Sequence, residues 1–152
     1  MNFGIVATEQ VDAAALAITN LQQQAGFIIG DQTGVGKGRF VAAMLWWGHK
    51  KGHFPVFITR DAALYEDMIR DLHDIGVPIE VLGDQGGLKI LTTNNKFGEL
   101  PSISLEGVKE GAKLKVVQPV ILSRALTEMN HGRRPDFDIA FTTYYQLQYR
   151  SQ

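Results

Sequence analysis

Residues 31–40 read DQTGVGKGRF, and no stretch of this chain constrains its fold more. A short apolar run, GFIIG at 26–30, comes just before it. Just after it, Phe40, Ala43, Met44 and Trp47 repeat at helical spacing up to Gly48. The order predicts strand, glycine loop, helix. Such a loop has a physical use. Glycines let backbone N–H groups turn inward without a Cβ clash. The start of a helix aims free N–H groups and a dipole at an anion. A lysine then reaches the outer phosphates as a point charge. Gly34, Gly36 and Lys37 meet these needs. The strict pattern G-x-x-x-x-G-K-[ST] is not met at either end, because Asp31 replaces the first glycine and Gly38 the hydroxyl residue. That hydroxyl normally touches Mg²⁺, so the metal would need water or a distant acid instead. An ordinary strand-to-helix turn is the competing reading.

The rest of the chain has the same alternation. Val11, Ala14, Ala15, Ile18 and Leu21 predict a helix over 11–21. PVFIT at 55–59 predicts a second buried strand. Asp61 caps a following helix whose face is Leu64, Met68, Leu72 and Ile75, with Gly76 as its stop. VPIEVL at 77–82 suggests a short strand. LKIL and KLKVV suggest a local hairpin, and a helix is expected near 121–130. DIAFTT at 138–143 reads as another buried strand. Strands alternating with amphipathic helices predict an α/β sandwich with a mainly parallel sheet. Ligands in such sheets sit at the carboxyl ends of the strands, where the glycine loop is expected.

Bulk properties narrow the function. The 152 residues suit one domain, large enough to bury about two-thirds of its surface. Hydrophobic content of 45% against 20% charged is that of a globular chain, not a disordered one. The net charge of −1 gives no global attraction to nucleic acid, so any such contact must be local. The absence of cysteine excludes disulfides and thiolate metal sites. No apolar run is long enough to span a bilayer, so no membrane partner is expected and the cytoplasm is the expected location.

The loop G-D-Q-T-G-V-G-K-G-R resembles motif I of the strawberry notch family, a branch of the superfamily 2 helicase-like ATPases found in animals and in phage and plasmid genomes. Members characteristically carry Gly and then Arg after the lysine. Related Swi/Snf-type translocases carry Asp at the position of Asp31. TEQVDAAALAI is similar to the family's N-terminal segment, FITRDAALYEDMIRDLHDIG to the region of motif Ia, and DIAFTTYYQLQ to motif Ib, with Tyr145 where Ser is usual. Residues 83–130 match only loosely.

The resemblance implies a P-loop NTPase fold of RecA-like, three-layer type. Residues 1–152 would be part of the N-terminal ATP-binding domain, with motifs I, Ia and Ib but no D-E-x-H box. It implies ATP and Mg²⁺ as cofactors. Gln10 would read adenine, Asp31, Gln32, Thr33, Gly34, Val35, Gly36, Lys37, Gly38 and Arg39 would form the phosphate site, and Lys37 would act on the β/γ pair. Thr59, Arg60, Thr142, Thr143 and Tyr144 would face nucleic acid, expected to be DNA. For Arg39, a solvated helix position competes with contact to a phosphate or a neighbouring acid. For Thr59 and Arg60 the rival is a strand-end cap, and for Tyr144 it is burial.

Asp136 and Asp138 precede their apolar run, so neither follows a strand as a hydrolytic acid would. The expected activity is therefore ATP binding within a helicase or translocase. Hydrolysis would need the remaining helicase region or a partner chain, and the incomplete sheet would leave limited stability alone. A nucleotide-binding or scaffold module without turnover is the rival reading, and a small P-loop kinase is a weaker one. The remaining candidates have plainer explanations. His49 and His53 each follow a glycine, Gly48 and Gly52, with no nearby carboxylate in sequence, and read as a solvated turn. Trp47 falls on the apolar stripe. Lys50, Lys51 and Arg60 read as a small solvated basic cluster, and Arg133 and Arg134 as loop residues.

Overall fold

The computed structural model describes residues 8–30, 36–78, 88–92, 115–116, 127–133 and 137–148. In chain order these form α1 (Thr8–Gln22), α2 (Lys37–Lys50), β1 (Val56–Thr59), α3 (Leu64–Asp74), β2 (Ile90–Thr92), β3 (Lys115–Val116), β4 (Ile139–Thr143) and α4 (Tyr144–Gln148). A helical turn also covers 127–130. None of the described helices is long and apolar enough to cross a membrane.

The strands form one sheet in the order β1-β4-β2-β3, and every pair is parallel. β4, last in sequence, lies between β1 and β2 and is buried along its whole length. Burial on both faces is what its continuous run IAFTT requires. Because paired residues in a parallel sheet point to the same side, Phe57 and Phe141 share one face and Val56 and Ala140 the other.

The first of these faces carries the main core. α3 sets Tyr65, Met68, Ile69 and Leu72 against Ile90, Ile139 and Phe141, and α2 adds Ala42 and Leu45. Phe141 lies 5.2 Å from Phe57 and 5.4 Å from Tyr65, ring centroid to centroid. Burial pushes the Tyr65 phenol well above its usual range, and a hydrogen bond with Thr92 partly opposes this. On the second face, Leu91 and Ala140 are covered by Phe54, Val56 and Phe137. A smaller cluster of Ala14, Ala17 and Phe40 joins α1 to α2.

Several expectations need correction. LKIL and KLKVV do not form a hairpin, since β2 and β3 run parallel with Leu91 opposite Lys115. A parallel pair cannot be closed by a tight turn and needs a long crossover. PVFIT is not fully buried, because β1 is a sheet edge among the described residues and Ile58 is 39% exposed. GFIIG is not a buried strand. Residues 26–30 pair with no described strand, and Ile28 is 92% exposed. Phe27 and Ile29 pack toward Ala14, Ala17 and Phe40 instead, so the segment has one covered side. The buried face of α1 is Ala14 and Ala17, whereas Leu21 is exposed. Most of VPIEVL and residues 121–126 lie outside the described residues.

Helix ends follow their sequence signals only in part, because α2 runs past Gly48 to Lys50 and the N-cap of α3 is Ala63, not the expected Asp61. Gly76 takes φ +83° after α3, and Gly52 takes φ +83° after α2. Both positions suit glycine because a Cβ disfavours that left-handed backbone. Asp61 accepts a hydrogen bond from the Ala63 N–H at 3.0 Å, one turn ahead of α3.

Candidate phosphate site at the start of the second helix

α2 begins where the glycine loop ends. Gly36 stands at its N-cap with φ +74°. Its carbonyl accepts the first helical bond from the Phe40 N–H at 3.2 Å and a second bond from the Gln10 amide Nε2 at 3.0 Å. A Cβ at Gly36 would run into that Gln10 amide. The left-handed backbone angle is what calls for glycine here, and the Gln10 side chain lies where a Cβ would stand. The N–H groups of Gly38 and Arg39 precede the first helical bond, and a helix itself supplies no acceptor for groups in that position. Lys37 is the first helical residue, so its cationic side chain starts at the positive end of the helix dipole.

The helix start is fixed on its other side by α3. A Cβ at Gly38 would collide with the Asp71 carboxylate, whose Cγ lies 3.0 Å from that position. One residue on, Arg39 Nη2 contacts Asp74 Oδ2 at 3.2 Å. Arg39 thus meets a neighbouring acid while its side chain stays 43% exposed, so it is both paired and partly solvated. Desolvation holds the Asp71 carboxyl above its ordinary value. Arg70 and Arg39 oppose that shift, and Asp74 and Asp67 add to it. The sequence reading missed Asp71 and Asp74 as partners. Their spacing of three puts both on one face of α3, but nothing in either segment alone pairs that face with Gly38 and Arg39.

Asp31, Gln32, Thr33, Gly34 and Val35 lie outside the described residues. Among the described residues no three His, Cys, Asp or Glu side chains form a group able to hold a metal. A cage made of protein ligands is therefore not what these residues offer.

The carboxyl ends of β1 and β4 lie level, with Thr59 opposite Thr143. Both threonines are 6% exposed and Thr142 is fully buried, so these hydroxyls do not face solvent. Thr143 is further engaged through its N–H and hydroxyl with Gln146 Oε1, each at 3.4 Å. Outward-facing groups at this edge are Arg60 and, at 54% and 63% exposure, Tyr144 and Tyr145. Burial is thus not the state of Tyr144.

Two plainer readings also change. His49 is not solvated, because its Nδ1 lies 3.6 Å from Asp138 Oδ1 and its ring stacks on Trp46 at 5.4 Å. The carboxylate comes from the foot of β4, remote in sequence. Lys50 does not cluster with Arg60 but lies over the Trp46 ring at 4.3 Å. Lys50 and Lys51 precede β1 and Arg60 follows it, which puts them at opposite ends of the strand. Arg133 is exposed, and Arg134 lies outside the described residues.

Comparison with known proteins agrees with the glycine–lysine turn. A 125-residue stretch is 31% identical to Protein FORGETTER 1 of Arabidopsis thaliana, covering 76% of this chain and 9% of that protein. The chain thus spans about a tenth of that relative's length. No solved structure matches at a significant level. The family described as P-loop containing NTP hydrolase pore-1 matches residues 4–152, nearly the whole length, and takes in the Gly36–Lys37 turn, α3 and the parallel sheet. By that match, this chain belongs to the P-loop containing NTP hydrolase pore-1 family.

Proposed function

We propose that this chain is the ATP-binding portion of an ATP-dependent helicase or translocase of the strawberry notch type, acting on DNA. The observation that carries the reading is the first turn of α2. There a left-handed Gly36, anchored by Gln10, is followed at once by Lys37 at the positive helix end. In this reading Lys37 attracts the β and γ phosphates, and the first-turn N–H groups bind phosphate oxygens. Gln10 reads adenine and, through its bond to Gly36, ties base recognition to the shape of the loop. Mg²⁺ brought in with ATP would neutralise charge on the β and γ oxygens. Hydrolysis would draw on further chain or on a partner.

The nucleic-acid part of the proposal is supported by the level carboxyl ends of β1 and β4, where ligands of parallel sheets bind. With Thr59, Thr142 and Thr143 buried, their role is to fix the edge, and Arg60 and Tyr144 present the contact groups. Fluorescence anisotropy of a labelled single-stranded DNA tests this. Affinity should respond to ATP and fall about tenfold at low salt on Arg60→Ala, the loss of one phosphate contact. DNA binding indifferent to both ATP and Arg60 would leave a nucleotide-binding module and refute the motor reading.

A further inference from the structure

We propose that Asp71 supplies from α3 the oxygen ligand to nucleotide-bound Mg²⁺ that a hydroxyl at position 38 supplies in the strict phosphate loop. The inference rests on the phosphate-site reading above and adds a residue to it. A serine at position 38 would send its side chain along the Cα–Cβ direction of that residue. The Asp71 carboxylate already fills that direction, with Oδ2 in the space of the absent Cβ, Cγ 3.0 Å from it and Oδ1 3.5 Å from it. The oxygen missing from α2 is thus replaced, close to the same place, by an oxygen of a neighbouring helix.

The chemistry suits the substitution. A carboxylate is a hard oxygen donor of the kind Mg²⁺ takes beside phosphates and water. It also carries a charge that a hydroxyl lacks. The neighbouring Arg39–Asp74 contact at 3.2 Å ties α3 to the same turn of α2, so the carboxylate is presented by a packed helix and not by a loop. Glycine after the lysine is then a consequence of the incoming acid. As placed, the Asp71 carboxylate occupies the space that a Cβ at position 38 would take.

Calorimetric titration of the whole chain with ATP, in Mg²⁺ and in EDTA, tests the idea without reference to turnover. The chain should bind ATP more tightly with Mg²⁺. Asp71→Asn, nearly isosteric, should reduce that enhancement at least about tenfold, since even outer-shell losses weaken metal sites 10–100-fold. Its ATP affinity in EDTA should not fall. Gly38→Ser with Asp71→Ala restores a hydroxyl and clears its space, and should regain Mg²⁺ dependence that Asp71→Ala alone lacks. Thermal melts of each variant confirm that it is folded. Full Mg²⁺ enhancement in Asp71→Asn overturns the proposal, as does a double variant no better than Asp71→Ala. If ATP binds in neither condition, the phosphate-site reading itself fails, and this proposal with it.

Discussion

Gly36 and Gly38 are adjacent-but-one glycines with different jobs, and substitution separates them. Gly36 holds φ +74° and touches Gln10. Gly36→Ala should cost about 1–2 kcal/mol in denaturant unfolding, the penalty for a left-handed Cβ, and Gln10→Ala should not recover the backbone part of that loss. Gly38 lies within a helix of ordinary backbone, so its alanine variant is strained only by Asp71. Asp71 makes the sharper prediction. Its folded pKa is raised above the ordinary 3.8, so the folded state prefers the protonated acid. Its favourable contribution is present below that ordinary value and is lost as pH rises through the folded value. At neutral pH without ligand, Asp71→Asn should therefore melt higher than the parent, and the difference should shrink on acidification. A lower melting temperature at neutral pH would contradict the environment assigned to Asp71. The Arg39–Asp74 pair is partly exposed, and its removal by Arg39→Ala should cost under about 1 kcal/mol.

At the scale of elements, α2, α3 and β4 form the unit that holds the site. Phe141 is fully buried between Phe57 and Tyr65. Phe141→Ala should cost about 3–5 kcal/mol by chemical denaturation. Ile28 is the opposite case. With 92% of its surface exposed, Ile28→Lys should change stability by less than about 0.5 kcal/mol. A large loss there would show that residues 26–30 are paired after all. These two residues also mark what the sequence made legible. IAFTT declared itself through a run rich in β-branched and aromatic residues, and α3 through Met68, Leu72 and the stop at Gly76, although Leu64 of the expected stripe is exposed and Tyr65 and Ile69 are buried in its place. FIIG has the same local composition but no strand beside it among the described residues. Local pattern reports a willingness to form a strand, while pairing is decided by distant chain. The same limit produced the expected hairpin at β2 and β3. Two short apolar runs on either side of turn-rich sequence do not encode direction, and only the sheet shows that they run parallel.

Over the whole molecule, a parallel sheet places the carboxyl ends of β1 and β4 together, and α2 and α3 pack on one face to hold the glycine–lysine turn. The site was legible as a motif because its backbone demands fall on consecutive residues, Gly36 and Lys37. Its supports were not, because Gln10, Asp71 and Asp74 approach from other helices. The foot of the sheet shows the same pattern, with Asp138 meeting His49 at 3.6 Å and the Lys89 N–H at 2.9 Å. The central claim is that the turn at Gly36–Lys37 binds the phosphates of a nucleotide, and isothermal titration of the chain with ATP and Mg²⁺, repeated on Lys37→Ala, tests it most directly. The account predicts saturable binding by the parent chain and its loss in a variant that melts at the same temperature. Equal binding by both chains, or none by a folded parent, would contradict it.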